Sequence, residues 1–172
     1  PNSDSLVEVD WINGAFILVK KEPLSKAGLL DEDFFLYAEE IEWCSRLNQE
    51  GSLMIYGNMH VIHLIGETIT KAANSNDSTY LNLYDRKGLQ LILSNHLRIR
   101  KQYGIFWFLF QLLNYTCAVP IYLIVGLLEN ILKFRSPLND IKKAIGLAKN
   151  VCIVWSYSII IILNKPYFYK VL

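Results

Sequence analysis

The 172-residue chain divides by its pattern of apolar and polar positions. Residues 7–20, VEVDWINGAFILVK, read as a strand interrupted at Gly14, a place where backbone can approach a ligand closely. Pro23 suits a first helical position, and Gly28 stops the short helix it begins. Residues 31–37, DEDFFLY, mix acids and aromatics without a period and read as a loop. Residues 38–50, AEEIEWCSRLNQE, predict a helix closed by Gly51 at its C′ position. Residues 53–65 are β-rich with a turn at Gly57-Asn58, and the Asn/Ser/Thr-rich stretch 70–79 reads as a mobile loop. A basic helix is expected over about 80–102. From Tyr103 to Leu128 there are 26 residues without a charge, then a basic stretch at 133–149 and a second uncharged run at 150–164.

Composition sharpens this division. Apolar residues make up 52% of the chain, at the high edge for a soluble domain, and the mean hydropathy is +0.24. Residues 1–70 hold 12 acids against four Lys/Arg, a net of −8; residues 71–172 hold 13 Lys/Arg against four acids, a net of +9. The total of +1 therefore joins two chemically different halves. The acidic half suits a metal or a hydroxyl-bearing substrate. In the other half the cations alternate with long aliphatic runs, which suits an anionic membrane surface and argues against a nucleic-acid partner. Cys44, Cys117 and Cys152 have no metal-ligand spacing and fit a reducing compartment. The sequence opens at Pro1 in mid-pattern and is read as part of a longer protein.

The acids of residues 39–42 carry the sharpest chemical signal. First-turn carboxylates complement a helix dipole and by themselves need no function. At about 100° per residue, however, Glu40 falls on the stripe defined by Ile41, Cys44 and Leu47, while Glu39, Glu42, Arg46 and Glu50 fall on the polar face. Glu42 and Arg46 then form an ordinary i, i+4 pair contributing a few tenths of a kcal/mol. An inward carboxylate needs a partner, a metal or a substrate, which makes Glu40 the catalytic candidate, with Glu39 beside it. Trp11, Asn13 and Gly14 are candidates to floor a substrate site, through an aromatic face, an amide and close backbone approach. Asp31 and Glu32 are candidates for acceptor hydroxyls. His96, on the basic helix, is expected to be solvated or interfacial.

Three ordered strings, DWINGAFILVKK, AGLLDEDFFLYAEEIEWCSRLNQEG and VIHLIGET, resemble the acceptor half of family-2 inverting glycosyltransferases, especially their rhamnosyltransferase-like members. The match covers roughly residues 8–68. The resemblance implies an α/β chain: the C-terminal portion of a GT-A (Rossmann-like) glycosyltransferase domain over 1–79, then a helical, membrane-attached region over 80–172. Relatives of this pattern use the second acid of the pair as base, the position held by Glu40, with Glu here where Asp is usual. The resemblance also implies a divalent cation, Mg²⁺ or Mn²⁺, held mostly by an upstream Asp-x-Asp motif, with His63 as an additional ligand. Asp31-Glu32-Asp33 has that spacing but lies in the acceptor loop. A processive synthase would carry Gln-x-x-Arg-Trp, and no Arg-Trp occurs in the chain.

An uncharged helix of 26 residues reaches about 39 Å, enough for the roughly 30 Å hydrocarbon core. Basic clusters flank it on both sides, and the positive-inside rule would keep both in the cytoplasm. A break at Pro120, giving a re-entrant hairpin or in-plane helices, satisfies both observations. The run at 150–164 is short for a crossing and reads as interfacial. The expected function is transfer of a sugar from a nucleotide-sugar donor to a glycan or polyprenyl-linked acceptor, at the cytoplasmic face of a bacterial inner membrane. The portion alone is expected to be inactive; the alternative is a non-catalytic membrane adaptor.

Overall fold

The computed structural model describes residues 5–62, 82–138 and 140–172. His63, the stretch 70–79 and the expected 79/80 boundary lie outside them. A small layer comes first. Strand β1 (Leu6–Val9) pairs antiparallel with β2 (Leu53–Tyr56), in a register setting Leu6 opposite Tyr56 and Val9 opposite Leu53. Helices α1 (Lys21–Ala27) and α2 (Glu39–Leu47) lie between them in sequence. Among the described residues there is no parallel sheet of Rossmann type. The described residues form a mixed, mainly helical fold with one two-stranded sheet.

Three boundaries differ from expectation, each for a local reason. The strand predicted over 7–20 ends at Val9, because the backbone beyond it is taken up by α2 rather than by a partner strand. The Ile12 amide lies 3.4 Å from Cys44 Sγ, and Asn48 Nδ2 donates to the Asp10 carbonyl at 3.1 Å. Pro23 is the third residue of α1, still within the first turn, where a missing N–H leaves no helical bond unmade. Gly51 does not close α2. The helix tightens through Asn48, Gln49 and Glu50, whose amides reach back to Cys44, Arg46 and Leu47, and Gly51 is not left-handed.

The basic and apolar segments form α3 (Arg86–Tyr103), α4 (Ile105–Leu132) and α5 (Ile141–Ile162). Asp85 caps α3, its Oδ1 accepting from the Gly88 amide at 2.8 Å. Gly104, at φ 89°, reverses the chain between α3 and α4. The bundle is centred on α3. At one end Asn150 donates to the carbonyls of Leu83 and Asp85, at 2.8 and 2.9 Å. At the other, Arg100 donates to the Ile162 carbonyl at 2.9 Å. Gly146 permits the first contact, since a Cβ there would stand 2.4 Å from the Tyr84 carbonyl oxygen.

Three expectations about this region are corrected. Helix α4 runs unbroken through Pro120. The chain reverses instead at 133–140, where Phe134 is left-handed and Asn130 donates to Asp140 at 3.0 Å. The run at 150–164 is not a separate piece; it continues α5, whose Leu147, Val151, Val154 and Ile161 are buried. His96 is likewise not solvated. It is fully buried, edge-on to Phe108 and Tyr115, and burial pulls its imidazole below the usual range.

Burial separates two cores. Cys44, Leu47 and Leu53 centre the smaller one, with Val9, Ile12, Ile17 and Trp43 against it. The larger joins α3, α4 and α5 and also takes in Phe34, Ala38 and Tyr169. The loop leading to the carboxylate helix is thus packed into the helical bundle.

Candidate active site

The site is built on the first turn of α2. Its approach is unusual: Tyr37 and Ala38 are both left-handed, at φ 69° and 67°, which non-glycine residues seldom adopt. Packing fixes this turn. Ala38 is buried in the larger core, Ser94 Oγ of α3 donates to the Leu36 carbonyl at 2.6 Å, and Ala38 O accepts the first helical bond, from Glu42. The next residues, Glu39 and Glu40, open the helix.

Gly14 is carried to this turn by the bonds that hold the 10–19 segment on α2. Asn13 Oδ1 accepts from the Ala15 amide at 2.9 Å and closes a turn with Gly14 at its centre. A Cβ at Gly14 would contact Glu40 Cβ at 3.3 Å, with the rest of the Glu40 side chain just beyond. Oε2 of Glu39 and Oε2 of Glu40 are both shielded, and neither accepts a hydrogen bond among the described residues. A shielded carboxylate oxygen with an open lone pair is what a substrate hydroxyl requires of a base. Burial, with the neighbouring Glu40 charge adding to it, raises Glu39 above the usual carboxylate range.

The helical-wheel assignment needs amendment. Glu40 is only partly buried, whereas Glu42, expected on the polar face, is buried. Glu42 can be buried because Arg46 meets it side-on, through Nε at 2.8 Å and Nη2 at 2.9 Å. The same guanidinium donates to the carbonyls of Ala27 and Leu29. The pair is therefore not an ordinary surface contact; it ties α2 to the end of α1. Trp43 Nε1 adds a bond to the Gly28 carbonyl at 2.8 Å.

The remaining candidates separate. Trp11 is exposed on the segment that carries Gly14, and Glu32 is exposed in its loop. Asp31 is engaged elsewhere: Lys101 Nζ of α3 lies 2.6 Å from Asp31 and 2.6 Å from Asp33. Burial alone would lower Lys101, but the two carboxylates outweigh it and raise the ammonium above its usual range. The Asp-x-Asp spacing of this loop thus holds an ammonium. No three His, Cys, Asp or Glu side chains among the described residues converge as a metal site, and His63 lies outside them. Among the described residues no side-chain set would hold the implied divalent cation, whose other ligands the resemblance puts upstream. Lys101 and Ser94 were hidden in a helix whose charges read as a membrane flank.

Comparison with known proteins supports a relationship to glycosyltransferases. The chain is similar to the N-acetylglucosaminyl-diphospho-decaprenol L-rhamnosyltransferase of Mycobacterium tuberculosis, at 31% identity over 84 residues, 45% of this chain and 27% of the relative. It is also similar to rhamnosyltransferase WbbL of Escherichia coli, at 36% identity over 56 residues, 32% of this chain and 21% of the relative. The chain therefore spans about a quarter of the length of the curated relatives it matches. No family model and no solved structure matches it.

Proposed function

We propose that this chain is the acceptor-side portion of an inverting glycosyltransferase of the GT-A, family-2 type, acting in cell-surface polysaccharide synthesis. Glu40 is its general base. One observation carries the reading: Glu40 presents a shielded, unpartnered oxygen at the mouth of α2, against a glycine that leaves room beside it. The Glu40 carboxylate takes the proton of an acceptor hydroxyl as that oxygen attacks the anomeric carbon of the donor sugar. The bond from that carbon to the nucleoside diphosphate breaks on the opposite face, its electron pair leaves with the diphosphate, and the configuration inverts. Glu39 raises the negative potential around the same hydroxyl. The name of the mycobacterial relative supports a polyprenyl-diphosphate sugar as acceptor class.

The same reading places the bundle flat on the cytoplasmic face of the membrane. Helices α4 and α5 are each long and apolar enough to cross, at about 42 and 33 Å. Yet α3, carrying Arg98, Arg100 and Lys101, lies alongside both, and the Asp31–Tyr37 loop is packed on α3. A perpendicular crossing would draw these charges toward the hydrocarbon, at about 2.5–3.5 kcal/mol for each one near its centre. Lying in the interface immerses the exposed Phe106, Trp107, Phe110, Ile124 and Trp155 without that cost.

The test is transfer by the full-length protein carrying this chain, in vesicles containing polyprenyl-diphosphate-linked N-acetylglucosamine and a panel of nucleotide sugars. The account expects a lipid-linked disaccharide whose new anomeric centre is opposite to the donor's. Retained configuration, or no transfer from any donor, would overturn it.

A further inference from the structure

The loop that leads to the base is held from the far side by the helical bundle. Five residues do this. Lys101 Nζ bridges Asp31 Oδ2 and Asp33 Oδ2, both at 2.6 Å. Asp33 Oδ1 accepts from the Tyr167 amide at 2.9 Å, and the Asp33 carbonyl accepts from the Tyr169 amide at 3.0 Å. Ser94 Oγ fastens the Leu36 carbonyl, and Gln102 Nε2 reaches the Ile41 carbonyl at 3.4 Å, just past the two glutamates. Between these points lie Tyr37 and Ala38 in their left-handed conformations. Such a turn persists only where its surroundings hold it, and unusual backbone of this kind gathers at functional sites.

Lys101 is the one charged member of this set. Its ammonium is shared by two carboxylates whose other oxygens are also occupied: Asp31 Oδ1 accepts from the Asp33 amide, and Asp33 Oδ1 from Tyr167. A solvated surface pair would not be so fully used. The Lys101 side chain is only 16% exposed, as is that of Asp33. Lys101 is also three residues before Gly104, where α4 begins, so the same short stretch of α3 grips the loop and carries the apolar helix.

We propose that Lys101 is a positioning residue. By clamping Asp31 and Asp33 it sets how the chain turns into α2, and so where the Glu40 carboxylate stands, coupling the seating of α4 to the reaction. This rests on the reading of Glu40 as base. Lys101 touches no substrate; it acts through the loop.

The experiment compares Lys101→Met, Lys101→Arg and Glu40→Gln in the full-length protein in vesicles, measuring kcat, both KM values and thermal midpoint. Lys101→Met is expected to lower kcat about ten- to a hundredfold, the effect of misplacing a reacting group by about an ångström, with both KM values little changed. Lys101→Arg should recover most of that loss. If Lys101→Met does not accumulate, Asp31→Asn removes one partner while Asp33 still holds the ammonium, and a smaller fall in kcat at unchanged KM is expected. Unchanged kcat per folded molecule in Lys101→Met, with only the thermal midpoint lowered, overturns the proposal. So does a raised acceptor KM at unchanged kcat in Asp31→Asn, which would return Asp31 to acceptor binding. Full activity in Glu40→Gln would instead defeat the base assignment, so the two failures are told apart.

Discussion

Gly14 faces Glu40 so closely that a Cβ at residue 14 would stand 3.3 Å from the Cβ of the glutamate. At that separation one of the two must move by a few tenths of an ångström. Gly14 has no left-handed backbone that would demand glycine, so the need is one of space. Gly14→Ala should therefore lower transfer about tenfold or more, because small displacements of a reacting group are costly, while the thermal midpoint changes little. Gly14→Val should be worse. Steady-state rates beside thermal unfolding check this; equal loss of both would mark Gly14 as a packing residue.

Arg46 and Glu42 make a second testable contact. Removing either leaves a buried partner without its charge or the carbonyls of Ala27 and Leu29 without a donor. Arg46→Ala or Glu42→Gln should cost about 2–3 kcal/mol of stability. Arg46→Lys should not restore it, since an ammonium cannot make the side-on pair and reach both carbonyls. Chemical denaturation of the three variants checks the order.

Glu39 links the site to pH. Its folded-state value is raised above the ordinary 4.5, chiefly by burial, so folding favours its protonated form. The stability tied to that proton is fully present below pH 4.5 and is lost as pH rises through the raised value. Glu39→Gln should therefore be more stable than the parent at neutral pH, and its stability should fall less over that window. Thermal midpoints across pH 4–8 on buffered samples read the difference directly.

Much of the architecture could be anticipated from residue pattern, and the misses share a cause. The loop at 31–37, the turn at Gly57 and the basic helix α3 follow from local composition and periodicity, whereas the unbroken α4 and the single helix α5 do not. Gly14 reads in the sequence only as a place of close backbone approach; its contact with Glu40 depends on the bonds that hold the 10–19 segment on α2. What failed depended on distant partners. The segment 11–19 had strand composition but is captured by Cys44 and Asn48; Glu42 looked solvated until Arg46 covered it. Pro120 is carried within α4, where Thr116 bonds the Leu112 carbonyl and accepts from Trp155 of α5. Lys101 could not be matched to Asp31 and Asp33, some seventy residues away, from spacing alone.

The membrane reading makes a topological prediction. With α4 and α5 in the interface, the 133–140 turn stays on the cytoplasmic side, near anionic lipid, where each nearby Lys or Arg contributes about 1 kcal/mol. A single cysteine at Ser136, with exposed Cys117 and Cys152 replaced, should escape an impermeant thiol reagent in intact cells and react in inverted vesicles. High salt should not release the protein. Labelling from the outside would establish a crossing hairpin.

The central claim is that Glu40 accepts the acceptor proton, and Glu40→Gln tests it most directly. Glutamine keeps the shape of the side chain and its place against Gly14 but cannot take a proton. With donor and acceptor saturating, kcat of the full-length protein should fall by about two to four orders of magnitude. Glu39→Gln should fall by less, and nucleotide-sugar binding by both variants should match the parent. Parental kcat in Glu40→Gln would contradict the account.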